Sequence, residues 1–275
     1  MLQPAMQRAR ARFPRGLFQP PGSFRFSADA LLLAAFILRQ CLPEEDGAAL
    51  LDLGCGCGVV ALACLLQAEG LTARGVDIDP DLVAAARANA AALGLALRFK
   101  ADALDLAAAL GAPFASAMGD GSREQPGAYA VVAANMPYRV PGSGRLPRSA
   151  ARNRALFADE ATMPSFMTAA KAAITPEGVF ALVYPLDGLG RLLSALAGHG
   201  FAAETALPVR MARDGASRVL VRAVRAENPL ARPFRQEPEL TLRAGSGKAG
   251  YTPEALAFCP WLDSNPWEGG ISKTE

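Results

Sequence analysis

The sequence contains a single histidine, His199, and none of its five cysteines forms a CxxC pair. Structural zinc sites need several closely spaced Cys or His ligands, so we expect no metal site. Cys55 and Cys57 alternate with glycines in a short segment, where small side chains that fit a tight loop are the simplest interpretation.

Long apolar runs are also missing. The longest, residues 30–38, is far shorter than the ~20 residues that a membrane-spanning helix needs, so we expect no membrane span. The N-terminal stretch is rich in arginine but lacks an apolar core followed by a small-residue cleavage site, so no secretory signal is predicted. An organellar presequence stays open, and the cytoplasm is the default location.

Acidic residues are absent from two stretches, residues 1–28 and 125–158, although the formal net charge of the chain is only +2. Basic patches of this kind attract polyanions such as RNA. A coding bias toward arginine and alanine explains either patch alone equally well. The arginines concerned are Arg8, Arg10, Arg12, Arg15 and Arg25 in the first stretch and Arg139, Arg145, Arg148, Arg152 and Arg154 in the second.

The length of 275 residues and an ordinary share of charged residues predict one main α/β domain. The predicted strands are residues 48–53, 73–78, 95–100, 128–134 and 178–184. The predicted helices are a buried one over the apolar run at residues 30–38, followed by residues 58–69, 80–93, 164–173 and 186–197. Their alternation implies a parallel sheet with helices on both faces. Residues 201–209 and 217–225 predict an antiparallel pair at one edge. We expect a basic N-terminal arm (1–23), the main domain (24–225) and a C-terminal tail rich in proline and glycine (226–275).

Three alternate glycines, Gly54, Gly56 and Gly58, lie between the first predicted strand and its helix. Glycine is needed where a chain turns sharply and a ligand must approach the backbone. A dinucleotide-binding loop would require a small residue at position 59, where Val59 stands, so NAD or FAD is the minority interpretation.

Acidic residues follow the next two strands. Asp77, in "GVDIDP", lies about 20 residues beyond the loop, where a carboxylate can accept both hydroxyls of a ribose. Asp102, in "FKADALDL", is expected just after the third strand. Ligands bind outside the carboxyl ends of parallel strands, so we expect these acids to share a site with the glycine loop.

The glycine loop preceded by Asp52, together with the two acids, resembles the nucleotide site of class I S-adenosylmethionine-dependent methyltransferases. The resemblance implies their Rossmann-like sheet, mostly parallel with an antiparallel edge strand, and S-adenosylmethionine as cofactor. It also implies that Asp102 binds the adenine amino group. The expected cofactor site also includes the neighbouring residues Ile78 and Ala103 and, after the fourth predicted strand, Asn135.

The fourth predicted strand ends in Asn135, Met136, Pro137 and Tyr138. The side-chain carbonyl of Asn135 and the backbone carbonyl of Met136 could accept the two hydrogens of an exocyclic amine and favour its pyramidal transition state. Pro137 biases Met136 toward an extended conformation, and Tyr138 offers a face on which a base can stack. The tetrapeptide resembles the Asn-Pro-Pro-Tyr motif of amino-directed methyltransferases, with Met136 in place of the first proline.

Stretches outside the two motifs, above all residues 24–34 and 152–160, resemble the bacterial valine-tRNA adenine-N6 methyltransferase family over about residues 24–255. The resemblance implies that Asp29 helps to close the cofactor pocket, that Asn135–Tyr138 hold the adenine and that the arginines Arg8, Arg10, Arg12, Arg15, Arg145, Arg148 and Arg152 contact tRNA. The chain departs from the family at Met136, in a long loop at residues 111–127 and in its arginine-rich N-terminus.

Two other classes of function stay open. A methyltransferase acting on a protein glutamine, or on guanine N2 of rRNA, shares the Asn-x-Pro-Tyr loop. A glutamine enzyme would be expected to carry a substrate-recruiting domain before the core, where only about 25 residues precede the first predicted helix of this chain. The substitution of Met136 also makes a cofactor-binding protein without catalysis conceivable. The oligomeric state is not predicted.

Overall fold

The computed structural model describes residues 3–23, 25–44, 47–108, 128–137, 161–211, 217–243, 245 and 250–264. Helices span Pro4–Ala11 (α1), Ala28–Gln40 (α2), Val59–Gln67 (α3), Pro80–Ala92 (α4), Thr162–Ala173 (α5), Leu189–Gly198 (α6) and Pro253–Phe258 (α7). Strands span Ala49–Leu53 (β1), Thr72–Asp77 (β2), Phe99–Ala103 (β3), Tyr129–Ala134 (β4), Ile174–Pro185 (β5), Phe201–Arg210 (β6), Ser217–Arg225 (β7), Arg235–Gln236 (β8) and Leu240–Thr241 (β9). Short 3₁₀ turns cover Leu186–Gly188 and Pro260–Leu262.

The strands form one mixed sheet in the order β3-β2-β1-β4-β5-β7-β6-β8, with β9 also paired to β6. The first five strands in this order are mutually parallel, β7 runs antiparallel to β5, and β6 runs antiparallel to β7. The predicted α/β class, with its mostly parallel sheet and an antiparallel pair at residues 201–225, is therefore confirmed. The two-residue strands β8 and β9 lie parallel to β6 beyond that pair.

Three predicted elements start at the wrong residue. The fifth strand starts at Ile174 rather than at residue 178. The third strand does not cover residues 95–100, because Leu95 to Arg98 form a turn in which the Arg98 N–H donates to the Leu95 carbonyl; β3 starts at Phe99 and extends through Ala103. The predicted helix over residues 186–197 begins with a 3₁₀ turn, and α6 starts only at Leu189.

Helix α4 begins as the sequence predicts. The Asp79 side chain accepts a hydrogen bond of 3.0 Å from the Asp81 N–H, and Pro80 occupies the first helical position, where its missing N–H costs nothing. Ser27 caps α2 in the same manner through the Asp29 N–H. The cap of α4 comes directly after β2, so it fixes where that helix leaves the sheet.

Side chains of each central strand alternate between two apolar clusters, one on each face of the sheet. In β4, Val131 and Ala133 belong to the cluster that includes α2, α3 and α4. Val132 and Ala134 belong to the cluster that includes α5 and α6. The sheet is thus buried on both faces, and its ends are the surfaces open to ligands.

The N-terminal segment and the C-terminal tail both pack on the α2 face. Phe13 is buried and meets Trp261 edge to face, with ring centroids 5.8 Å apart. The Cys259 thiol lies 3.5 Å from the Leu31 carbonyl in α2. Within the described ranges, no helix is both long enough and apolar enough to cross a membrane.

Candidate cofactor and catalytic site

The register of the parallel strands places the predicted site residues in one row across the sheet. Leu53, the last residue of β1, pairs with Val76 on one side and Ala134 on the other. The next residue along each chain is Gly54, Asp77 and Asn135, and Asp77 itself pairs with Ala103 at the end of β3. Since neighbouring strands lie ~4.8 Å apart, the row brings the glycine loop between an acid and an amide.

The glycine loop turns through three left-handed residues, Gly54, Gly56 and Gly58, at φ of 70°, 54° and 88°. The turn is held because the N–H groups of Gly54 and Cys55 both donate to the Val76 carbonyl. A Cβ at Gly58 would lie 3.2 Å from both Ala86 and Leu62, whereas a Cβ at Gly56 would meet nothing within 4 Å. The side of the loop at Gly56 is therefore open, as a backbone that receives a ligand must be.

Asp77 is fixed by the loop that it faces. Its Oδ2 accepts a hydrogen bond of 2.8 Å from the Gly56 N–H, and its Oδ1 accepts one of 2.9 Å from the Asp79 N–H. Burial raises the pKa of Asp77, and these two hydrogen bonds oppose that rise. The residue is half-buried, and Ile78 beside it is 50% exposed, an apolar surface at the open end of the sheet.

Asp52 lies below the loop and is almost wholly buried. Its Oδ2 accepts a hydrogen bond of 3.3 Å from the Ala61 N–H in the first turn of α3, so the carboxylate caps that helix from the neighbouring strand. Burial raises the pKa of Asp52 to about 7, against the hydrogen bond from Ala61 and with a further contribution from the charge of Asp77. Asp52 therefore lies beneath the glycine loop and supports it through the start of α3.

Asp102 differs from the sequence expectation in position and in surroundings. It lies inside β3, opposite Val76, and not beyond the strand end. Its Oδ2 forms an ion pair with Nε of Arg74 at 2.8 Å, and Nη2 of Arg87 lies 3.5 Å from its Oδ1. Ala103, which follows it, is exposed at the strand end. The third strand is longer at its carboxyl end than the apolar pattern indicates, which is why Asp102 falls within it.

Asp29 occupies the first turn of α2 and is buried. Its Oδ2 forms an ion pair of 2.9 Å with Nε of Arg218 at the start of β7. Because β7 runs antiparallel to β5, Arg218 pairs with Pro185 at the carboxyl edge of the parallel strands. The ion pair therefore borders the edge that carries Gly54 and Asn135.

Asn135 directly follows β4 and is half-buried. By strand alternation its side chain continues the row of Val131 and Ala133, the face on which Leu50 of β1 also lies. Met136 points to the other face and is buried in the cluster that contains Phe166. The residue that stands where the Asn-Pro-Pro-Tyr motif has its first proline therefore fills part of the core. Tyr138 lies outside the described residues.

The basic stretches are only partly described. Arg8 and Arg12 are exposed on and just after α1. Nε of Arg10 donates to the Leu93 carbonyl at 2.9 Å, and Nε of Arg15 donates to the Ser264 carbonyl. Two of the four predicted RNA-contacting arginines in this arm therefore already hold the arm to the rest of the protein. Arg145, Arg148 and Arg152, like the loop at 111–127, lie outside the described residues.

Sequence reasoning missed Asn89, a buried amide in α4 that joins the N-terminal segment to the glycine loop. Its Oδ1 accepts a hydrogen bond of 2.7 Å from the Phe18 N–H, and its Nδ2 lies 3.0 Å from the carbonyl oxygens of both Phe18 and Cys57. An asparagine on the buried face of an alanine-rich helix is a detectable signal, because buried amides are kept for their hydrogen bonds.

A glycine loop follows the first strand, an acid ends the second strand, and an antiparallel pair extends the parallel part of the sheet. The chain shares this Rossmann-like fold with solved methyltransferase structures. Residues 18–114 match the family model of the methyltransferase small domain. A solved structure from Agrobacterium tumefaciens, described as a predicted O-methyltransferase, superposes with a TM-score of 0.61 over 84% of this chain and 95% of that one, at 15% identity, which shows a shared fold.

Among curated proteins, the chain is 28% identical over 176 residues to the tRNA1(Val) (adenine(37)-N6)-methyltransferase of Yersinia enterocolitica. The match covers 64% of this chain and 62% of that relative's length. A shorter match, 44% identical over 71 residues, links it to the release factor glutamine methyltransferase of Rhodospirillum rubrum and covers 26% of this chain and 22% of that protein. Both relatives are named as methyltransferases, the first of an adenine N6 and the second of a glutamine.

Proposed function

We propose that the protein is an S-adenosylmethionine-dependent N-methyltransferase that methylates an exocyclic amino nitrogen, adenine N6 in tRNA. The observation that carries the proposal is the placement of Asn135 one strand from Gly54, level with it across the sheet. An amide at that position lies at the same edge of the sheet as the glycine loop, where the proposed methyl donor would bind. In this proposal residues 24–225 carry the reaction.

The described residues fit the cofactor. The open side of Gly56 can receive the donor, the oriented carboxylate of Asp77 can accept the ribose hydroxyls, and exposed Ile78 can cover an apolar face of the adenosyl group. Asp102 and Ala103 at the end of β3 would border the adenine. When bound, S-adenosylmethionine supplies an electrophilic methyl group on a sulfonium. Three further residues would support the pocket. Asp29 closes its side, Asp52 caps α3, and Gly58 allows α3 to start close to α4.

The chemistry assigned to the chain is to hold the amine. The carbonyl oxygens of Asn135 and Met136 accept its two hydrogens, which favours the pyramidal nitrogen of the transition state over the planar amine of the ground state. Positioning the amine in line with the methyl supplies much of the remaining acceleration. Since the methylated nitrogen can lose its proton to water afterwards, no side chain is needed as a general base. Pro137 orients the Met136 carbonyl, and Tyr138 would stack on the base.

RNA is proposed as the substrate for two reasons. The Yersinia relative is named for a tRNA adenine. The N-terminal arm is basic, and its residues Arg8 and Arg12 are exposed. Arginines that neutralise phosphates make binding fall steeply with salt. Together with Arg145, Arg148 and Arg152 they would contact the phosphates on either side of a flipped adenine. Arg10 and Arg15 would add positive charge there while their hydrogen bonds to Leu93 and Ser264 hold the arm in place. A tRNA substrate would place the reaction in the cytoplasm.

A protein glutamine is the second candidate substrate, favoured by the 44% identity to the Rhodospirillum rubrum enzyme. That identity covers only 71 residues, whereas the tRNA methyltransferase match covers 176. The planar amide of glutamine, like adenine N6, has a delocalised lone pair, so the same two carbonyls could serve either substrate. Since the chemistry does not discriminate, the choice rests on the longer match to the tRNA methyltransferase, which favours adenine in tRNA as the substrate.

The test is methyl transfer from isotopically labelled S-adenosylmethionine to total tRNA, unmodified transcripts and purified peptide-chain release factors. We expect labelled N6-methyladenosine in nucleosides from digested tRNA, detected by mass spectrometry. The matched control is the Asn135→Ala variant with the same RNA. Labelled methylglutamine without methyladenosine would support the second candidate, and cofactor binding without transfer to either would contradict catalysis on both substrates.

A further inference from the structure

Arg74 is a buried cation in the middle of β2. It is only 5% exposed and is flanked on its own strand by small apolar residues, Ala73 and Gly75. Removing a guanidinium from water is costly unless an opposite charge and hydrogen bonds compensate it. The partner is Asp102 on the adjacent strand, whose Oδ2 accepts from Nε of Arg74 at 2.8 Å.

A second arginine holds Asp102 from outside the sheet. Nε of Arg87, on α4, donates to the Ala101 carbonyl at 2.8 Å, and its Nη2 reaches Asp102 Oδ1 at 3.5 Å. The side chain of Asp102 is still 32% exposed. Each carboxylate oxygen can accept more than one hydrogen bond, so the arginines orient the group and leave it able to accept from a ligand. The more weakly held oxygen is Oδ1.

We propose that Arg74 is a positioning residue for Asp102, the acid that the resemblance to class I methyltransferases assigns to the 6-amino group of the cofactor's adenine. The buried ion pair holds the carboxylate in the orientation in which it accepts from that amino group and disfavours a 6-oxopurine. The inference rests on the proposed function, since it assumes an adenosyl ligand at this edge of the sheet. A carboxylate offers acceptors only, so it bonds the amino group of adenine and repels the oxygen of hypoxanthine. A buried arginine paired to it prevents the carboxylate from turning away.

The experiment compares two ligands, S-adenosylhomocysteine and S-inosylhomocysteine, by calorimetry with the full chain. The wild-type protein is expected to prefer the adenosyl ligand by roughly tenfold or more, the worth of one hydrogen bond to a charged group. Arg74→Met should reduce adenosyl affinity by a similar factor and leave inosyl affinity nearly unchanged, so that the preference disappears. Arg74→Lys, which keeps the charge, should retain part of it.

Asp102→Asn tests whether this side chain contacts the ligand, because loss of a purely structural ion pair would not reverse the preference between the two ligands. With Arg74 in place, the amide oxygen of the new residue should be held by the guanidinium and its N–H₂ should face the ligand. The preference should then invert toward S-inosylhomocysteine. The matched control is Arg98→Met, because Arg98 donates only to backbone carbonyls of residues 65, 68, 69 and 71 among its described partners and is predicted to change stability without changing the ligand ratio.

The outcomes separate the inference from the function on which it rests. The inference is wrong, and the ion pair is only structural, if two results are found together. Arg74→Met keeps the wild-type ratio of the two ligand affinities, and Asp102→Asn still prefers S-adenosylhomocysteine. If Arg74→Met does not fold, Arg74→Lys takes its place. If the wild-type protein binds neither ligand, the cofactor assignment fails and the inference fails with it. If the wild-type protein binds both ligands equally, the cofactor assignment stands and only the selection at Asp102 is refuted.

Discussion

The Gly56 N–H donates a hydrogen bond of 2.8 Å to Oδ2 of Asp77, so the acid that would hold a ribose also shapes the loop that would receive the donor. The bond spans two strands: Gly56 follows β1 and Asp77 ends β2. The two halves of the proposed cofactor site are therefore a single unit.

The first prediction concerns that unit. Asp77→Ala should weaken S-adenosylhomocysteine binding by at least tenfold, because it removes the acceptor for the ribose and releases the Gly56 N–H. Calorimetry measures the affinity directly. Asp81→Ala, an exposed acid on the next helix, is the control and should bind as the wild type does. An unchanged affinity in Asp77→Ala would mean that the carboxylate does not hold the cofactor.

The second prediction separates binding from chemistry. Asn135→Ala should lower the rate of methyl transfer by about 100-fold or more, the usual effect of losing a group that acts in the transition state, and should leave cofactor affinity nearly intact. Single-turnover transfer to tRNA and calorimetry measure the two quantities. Asn135→Asp keeps oxygen acceptors at the position and should retain more activity than the alanine variant. Turnover at the wild-type rate in Asn135→Ala would refute the role of the amide.

Much of the site could be predicted because its residues follow one another at strand ends. The alternation of strands and helices set the parallel order, and the spacing from Gly54 to Asp77 placed the acid at the correct edge, which the strand register confirms. The position of Asp102 was wrong because an apolar run does not distinguish a strand from the turn that precedes it. The segment from Leu95 to Arg98 is such a turn.

The contacts that support the site could not be predicted from spacing. Arg74 and Asp102 are 28 positions apart and meet only through the register of β2 and β3. Asn89 and Phe18 are 71 positions apart and meet only because the N-terminal segment crosses α4. Strands β8 and β9 have two residues each, too few for a period of two to show.

The third prediction tests the link through Asn89. Asn89→Asp keeps an acceptor for the Phe18 N–H but places a second oxygen where the amide nitrogen now lies 3.0 Å from two carbonyl oxygens. Two buried carbonyls lose their donor, so the free energy of unfolding should fall by about 2–4 kcal/mol. Urea denaturation measures it, with Leu97→Ser, at a fully exposed position, as the control. A change no larger than that of the control would mean that the segment is held by other contacts.

The fourth prediction concerns Asp52, whose pKa burial raises to about 7 in the folded protein. In the unfolded chain an aspartate has a pKa of about 3.9, so between about pH 4 and pH 7 the folded state keeps a proton that the unfolded state has lost. Stability must then fall as pH rises through this interval and change no further, on account of this residue, above it.

Asp52→Asn removes that dependence, because the amide does not titrate and its oxygen can still accept from the Ala61 N–H. The stability of the variant relative to the wild type should therefore rise by about 2 kcal/mol between pH 5 and pH 7.5, as measured by urea denaturation at each pH. Asp77, whose pKa is also raised, contributes to both proteins and largely cancels in the difference. Asp187→Asn, at an exposed position, should follow the wild-type curve at all pH values. Parallel curves for Asp52→Asn and wild type would show that Asp52 is ionised in the folded protein throughout, and that its cap on α3 is a charged one.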